Sequence, residues 1–228
     1  MTRLMIVALV AMAACDGELD PPWQLDHDRI VAVRATPPAI MSGERSELDG
    51  LLSTPPGVTE VAVPELAIVV TPESLAGALA PEGGKWVVTA PGEDQLAAAR
   101  TELALEPGAP VPLQIGVSYR GQSLYAVKTV WLGMSGANPE LSMIAMDGAP
   151  PPEGEIIVGK EVDVPLSIEA LETDDVNWLT SCGTMHDFDL PESYLRVEPE
   201  DPVMGELVVV RRDDRGGVVW RVWPIRAE

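Results

Sequence analysis

The chain has 228 residues and carries 36 Asp and Glu against 15 Lys and Arg, a formal net charge of −21 at pH 7. So acidic a protein repels phosphate backbones and anionic lipid head groups, which excludes nucleic-acid binding and a purely electrostatic membrane contact. Its 46% of apolar residues suffices for one or two packed cores, while 22 Pro and 20 Gly favour turns and strands over long helices.

Met1-Thr2-Arg3 supplies a short positive start, and Leu4 to Met12 is an unbroken apolar stretch. It is too short to span a hydrocarbon core of ~30 Å, which takes about 20 helical residues, and it reads instead as the apolar region of a signal peptide. Residues 1–14 are therefore expected to be a leader. Met12-Ala13-Ala14-Cys15 resembles the bacterial lipobox, with Met where Leu is usual. The resemblance implies cleavage before Cys15 and attachment of lipid, palmitate included, to its sulfur. The alternative is ordinary cleavage after Ala11-Met12-Ala13, which leaves Cys15 a plain thiol. Residues 15–28, polar and interrupted by Pro21-Pro22, read as a lipidated Cys followed by a tether that lifts the first domain off the membrane.

From Arg29 onward, short Val/Ile/Leu-rich runs recur about every 8 to 15 residues between Pro, Gly and Asp, which predicts an all-β chain. The first set is Ile30–Ala35, Val61–Val70, Trp86–Thr89, Pro112–Tyr119 and Ser123–Leu132, with one short helix at Glu93–Arg100. Gly133 to Pro139 is small and flexible, and a linker is expected at 134–137. The second set is Leu141–Met146, Glu161–Leu171, Val176–Ser181, Tyr194–Val197, Glu206–Arg212 and Val218–Ile225. Asp213-Asp214-Arg215-Gly216-Gly217 joins its last two members, glycine supplying the positive φ of a hairpin turn. The reading is two β-sandwich domains in tandem, 29–133 and 138–228.

Several of these turns and core signals point to a known architecture. Val176-Asn177-Trp178, Cys182-Gly183-Thr184, Gly205 to Val210 and Asp213 to Val218 resemble bacterial immunoglobulin-like or PKD-like domains. Ala35-Thr36-Pro37-Pro38 and Ser42-Gly43-Glu44, followed by a Leu-rich strand, are similar to a common entry into such a domain. The chain as a whole resembles predicted lipoproteins of myxobacteria-type deltaproteobacteria. That resemblance implies a fold and transfers no active site.

The catalytic inventory is thin, and no catalytic residue is assigned. His27 and His186 are the two histidines, and neither lies in a nucleophile motif. Gly116-Val117-Ser118-Tyr119-Arg120 lacks the second glycine of a nucleophile elbow and falls in a strand. Cys182 and His186, with Asp187 and Asp189, have a spacing that could hold zinc. Against this, Cys is usually buried, which would leave His186 to Asp189 as an exposed loop with Phe188 tucked inward. Asp26-His27-Asp28 offers a similar, more solvated set. Calcium could be drawn by Asp174-Asp175, Asp187 with Asp189, Glu198 with Glu200 and Asp201, or Asp213-Asp214, all at strand ends. Acidic loops also serve solubility alone. No cofactor beyond the lipid on Cys15 is expected. Trp86, Trp131 and Trp178 read as core, whereas Trp220 and Trp223, three apart on one strand, face opposite ways. One of that pair is a candidate for the domain interface or an exposed contact.

These readings converge on a lipid-anchored protein of the cell envelope, on the inner or outer membrane, acting without catalysis as a spacer or a protein- or glycan-binding module. A calcium- or zinc-dependent adhesion module is the alternative, and an envelope hydrolase the third.

Overall fold

The computed structural model describes residues 21–228, so the leader and Cys15 lie outside the described residues. The first half contains β1 (Arg29–Thr36), β2 (Ala39–Ile40), β3 (Arg45–Thr54), β4 (Val58–Ala62), β5 (Leu66–Thr71), β6 (Leu79–Glu82), β7 (Lys85–Thr89), α1 (Glu93–Glu102), β8 (Val111–Tyr119) and β9 (Leu124–Leu132). The second contains β10 (Ala145–Met146), β11 (Ile156–Val158), β12 (Asp163–Ser167), β13 (Asp175–Thr180), β14 (Thr184–His186), β15 (Glu192–Arg196), β16 (Met204–Arg212) and β17 (Val218–Ala227).

Both halves close by the same rule. In the first, one sheet runs β1-β3-β7-β6, with β4 alongside β3, and the facing sheet runs β2-β9-β8-β5. In the second, β10-β12-β15-β14 faces β11-β17-β16-β13. Each half thus splits its opening strand, sends the second piece to the other sheet, and pairs that piece parallel to the last strand, β2 with β9 and β11 with β17. Strands one, two, five and four on one side and three, six and seven on the other are the immunoglobulin arrangement. The chain is two immunoglobulin-like β-sandwiches.

Alternation along the strands builds the two cores. Val111, Leu113, Ile115 and Val117 of β8 point inward with Val130 and Leu132 of β9, Leu48 and Leu52 of β3, and Leu96 of α1. In the second half, Trp178 of β13 is wholly buried among Leu195, Leu207, Val209 and Trp223. The stretch 61–70, expected as one strand, is two strands in different sheets. Pro64 has no N–H to continue a ladder, and the chain changes sheets there.

A third apolar cluster lies between the sandwiches. Leu207, Val208, Val209 and Val210 of β16 are all fully buried, because Leu207 and Val209 enter the second core while Val208 and Val210 face the first sandwich. There they meet Leu51 of β3, Val218 and the adjacent pair Val31 and Ala32, which a bulge in β1 turns to the same side. Polar contacts fix the orientation. The Ser181 hydroxyl donates to the Gly57 carbonyl at 2.7 Å, Arg212 donates to the Val31 carbonyl at 2.8 Å, and the Thr59 N–H donates to Glu206 at 2.7 Å. Arg34 covers the ring of Trp220 at 3.9 Å, so Trp220 belongs to the junction and Trp223 to the core.

Two segments expected to be loose are held. The tether reading fails for residues 21–28. Leu25 is fully buried in the junction, its N–H donates to the Thr180 carbonyl at 3.1 Å, and the Thr180 N–H donates to the Trp23 carbonyl at 3.0 Å. Ser53 meets the carbonyls of Leu25 and His27 from the other sandwich, so this segment is a strap gripped by both. The 134–137 stretch is likewise no free hinge. Gly136 pairs with Ala39, and Asn138 donates to the Ala35 carbonyl at 2.9 Å while accepting from the Val218 N–H at 2.8 Å.

Candidate functional site

The residues proposed for zinc point apart. Cys182 follows β13, is fully buried in the second core, and its thiol donates to the Pro202 carbonyl at 2.8 Å. Burial, and then the Asp201 carboxylate, push this thiol above its ordinary pKa. His186 sits on β14 one residue past the inward Met185, so it lies on the outer face of the sheet, stacked on Tyr194 at 4.3 Å between ring centroids. Asp187 and Asp189 are exposed, and Phe188 packs against the second core. A buried thiol and an outward imidazole on opposite sides of one sheet do not share a metal.

The acidic strand ends are used by their own turns. Asp174 accepts from Arg211 at 2.8 Å and from the Leu171 N–H at 3.0 Å. Asp213 accepts from the N–H groups of Arg215 and Gly217, at 3.0 and 2.6 Å, and Asp201 accepts from the Glu198 N–H at 2.8 Å. These are carboxylates closing tight turns. Asp26 holds the ring of His27 at 3.0 Å. Among the described residues no three His, Cys, Asp or Glu side chains gather as a metal site. Ser118 stays inside β8, buried, with neither histidine beside it in the sequence or the sheet.

Three surface features remain. On the outer face of the second sandwich, a shallow trough of about 670 Å³ is lined by Asp163, Asp187, Glu192 and Tyr194, and one face of the Tyr194 ring is already covered by His186. At the junction, the Lys128 ammonium is buried and donates to the Gly216 carbonyl. Burial lowers its pKa to about 8, against the pull of Asp213 and with a small contribution from Arg212. On the first sandwich, the outer face of β5, β8 and β9 is apolar and open: Leu66 and Ile68, Gly116 and Ser118, then Tyr125 and Val127, line a depression of about 290 Å³. Reading by residue chemistry alone misses this last face. Its signal is the Leu66–Val70 run, which stays apolar at the positions that alternation turns outward.

No family model matches the chain, and no curated protein matches it. Similar solved structures include the N-terminal Ig1-2 module of Drosophila receptor protein tyrosine phosphatase DLAR, 9% identical, covering 89% of this chain and 99% of that one with a TM-score of 0.30. The titin domains z1z2 in complex with telethonin are 13% identical, with 86% and 96% coverage and a TM-score of 0.27. A nucleoside hydrolase-related hypothetical protein from Saccharophagus degradans is 10% identical over 40% of this chain, with a TM-score of 0.32. This chain spans 26% of the length of that protein. The strand order, rather than any of these likenesses, carries the fold assignment.

Proposed function

We propose that this protein is a non-catalytic, lipid-anchored interaction module of the cell envelope, held close against its membrane rather than raised above it. The observation that carries the reading is the strap. Eight chain steps separate Cys15 from Trp23, and Trp23 to Leu25 are clamped where the two sandwiches meet. Eight steps reach at most about 28 Å even when fully extended, so a lipid on Cys15 keeps the waist of the molecule within that distance of the bilayer. An upright spacer would require the anchor to leave from one end of the tandem. The buried junction makes the pair one rigid unit, which suits presentation of a fixed surface. Protein binding is favoured over glycan binding, because the outer face of β5, β8 and β9 exposes aliphatic side chains beside Tyr125, whereas His186 already covers one side of Tyr194.

The test of the anchor is Cys15→Ser, followed by membrane fractionation and labelling with palmitate. The expected outcome is loss of label, together with release from the membrane or retention of an unprocessed leader. Label incorporated into Cys15→Ser at the unsubstituted level overturns the reading.

A further inference from the structure

The structure assigns the open face of β5, β8 and β9 to a second copy of this chain: two first sandwiches pack face to face about a two-fold axis. The assignment does not depend on the anchor.

Cross-strand register places Leu66, Ser118 and Tyr125 in one row and Ile68, Gly116 and Val127 in the next. Ser118 is covered by its neighbours, but the apolar side chains around it stand open: Tyr125 is 68% exposed, Val127 61%, Ile68 55% and Val70 51%. No charged side chain stands among the outward positions, which continue as Gln114 and Thr129. Charge returns at the rim, where Arg120 pairs with Glu60 and Glu65 accepts from the Gly121 N–H. An apolar patch of this kind, ringed by polar groups, marks an association surface.

Four features select a second copy. First, a net charge of −21 opposes self-association at long range, so a contact between two copies has to use surface that adds no like-charge pairs of its own, and this face is uncharged. Second, the face carries both a knob and a hole. Gly116 has no side chain between Ile68 and Val70 on one side and Val127 on the other, which leaves the 290 Å³ depression beside the projecting Tyr125. A two-fold contact seats each Tyr125 in the partner's depression, the self-complementarity that an isologous interface needs. Third, the exposed apolar side chains amount to roughly 500 Å² per copy, and two copies together reach the ~1,000 Å² at which a specific contact becomes credible. Fourth, the free edge of β5 is turned by the bulge between Val69 and Thr71, which disfavours edge-to-edge pairing and leaves the face as the place of contact. Sheets stacked in this way interdigitate at a spacing of about 10 Å.

The unlipidated chain (Cys15→Ser) tests this by sedimentation equilibrium. An interface this small predicts a monomer–dimer equilibrium with Kd of about 1–100 µM. Raising NaCl from about 0.05 to 0.5 M should tighten it several-fold, because salt screens the repulsion between two acidic bodies and the contact itself contains no ion pair. Tyr125→Glu and Val127→Asp alter exposed side chains, so they should leave Tm unchanged while weakening the dimer by about 30-fold or more, as expected for a central aromatic anchor. Gly116→Ala is the conservative control. Its added methyl meets Val70 at 3.4 Å, an ordinary contact, so the fold survives while the hole shrinks and the dimer weakens. The assignment is overturned by a chain that stays monomeric to 0.5 mM, by a dimer indifferent to both Tyr125→Glu and Gly116→Ala, or by one that weakens with salt. Tyr125-dependent flotation of the monomer with phosphatidylcholine vesicles also overturns it and gives the face to lipid.

Discussion

Leu25→Ala probes whether the strap and the two sandwiches form one cooperative body. Leu25 is fully buried among Val31, Ala32 and Leu51 of the first sandwich and Leu179, Val208, Val210 and Val218 of the second. Truncation leaves the backbone bond from Leu25 to Thr180 and the Ser53 contact in place, so the loss is confined to side-chain packing. Leu→Ala in a core costs about 2–5 kcal/mol, the transfer loss plus the cavity left behind. A seam between two sandwiches closes up more readily than the inside of either one, which places the expectation near 3 kcal/mol. Urea denaturation followed by tryptophan fluorescence and by far-ultraviolet circular dichroism measures it. The unsubstituted chain should unfold in one transition with both probes. The variant should unfold earlier, and the two probes should separate as the junction uncouples before either core melts. A loss under about 1 kcal/mol with coincident probes would refute the clamped strap, since a side chain that fully bridges two bodies does not leave for so little.

Lys128 makes stability depend on pH in a defined window. Its folded pKa of about 8 lies below the ordinary lysine value of 10.5, so between the two the unfolded chain binds the extra proton and stability rises with pH. Between pH 8 and 10 the unsubstituted protein should gain about 2 kcal/mol relative to Lys128→Met, read from urea midpoints of both proteins at each pH, a difference in which the opposing effect of the buried Cys182 thiol cancels. Tyr119, whose pKa burial raises, works the other way above pH 10, so the window must end there. The Cys182 thiol should label slowly in the native state and fully in urea, with no change on adding a chelator. Release of the thiol by chelator alone would restore the metal reading of this loop.

Much of the architecture was legible locally. The alternation along β8, the Asp-Gly turn between β16 and β17 and the short helix at α1 follow from residue types and near neighbours, and they specify strands, turns and inward faces. The candidate site was less legible. The spacing of Cys182 and His186 suggests a metal, but the turn at Gly183, with φ of +95°, and the pleat of β14 send them to opposite faces.

The amino-acid order alone determined the all-β class, the tandem repetition and the acidic character. Only the tertiary structure decided what each exposed or doubly apolar run meets. Leu207 to Val210 announces a strand buried on both sides, yet that its second side packs against the other sandwich depends on how the two bodies dock. Trp23 to Leu25 reads as polar tether because the surfaces that bury it are contributed by β3 and β13, far away in the chain. The open face on β5, β8 and β9 required the register of three strands before its apolar residues could be seen as one surface. Such contacts join positions scores of residues apart, and a periodicity read within one strand carries no information about them.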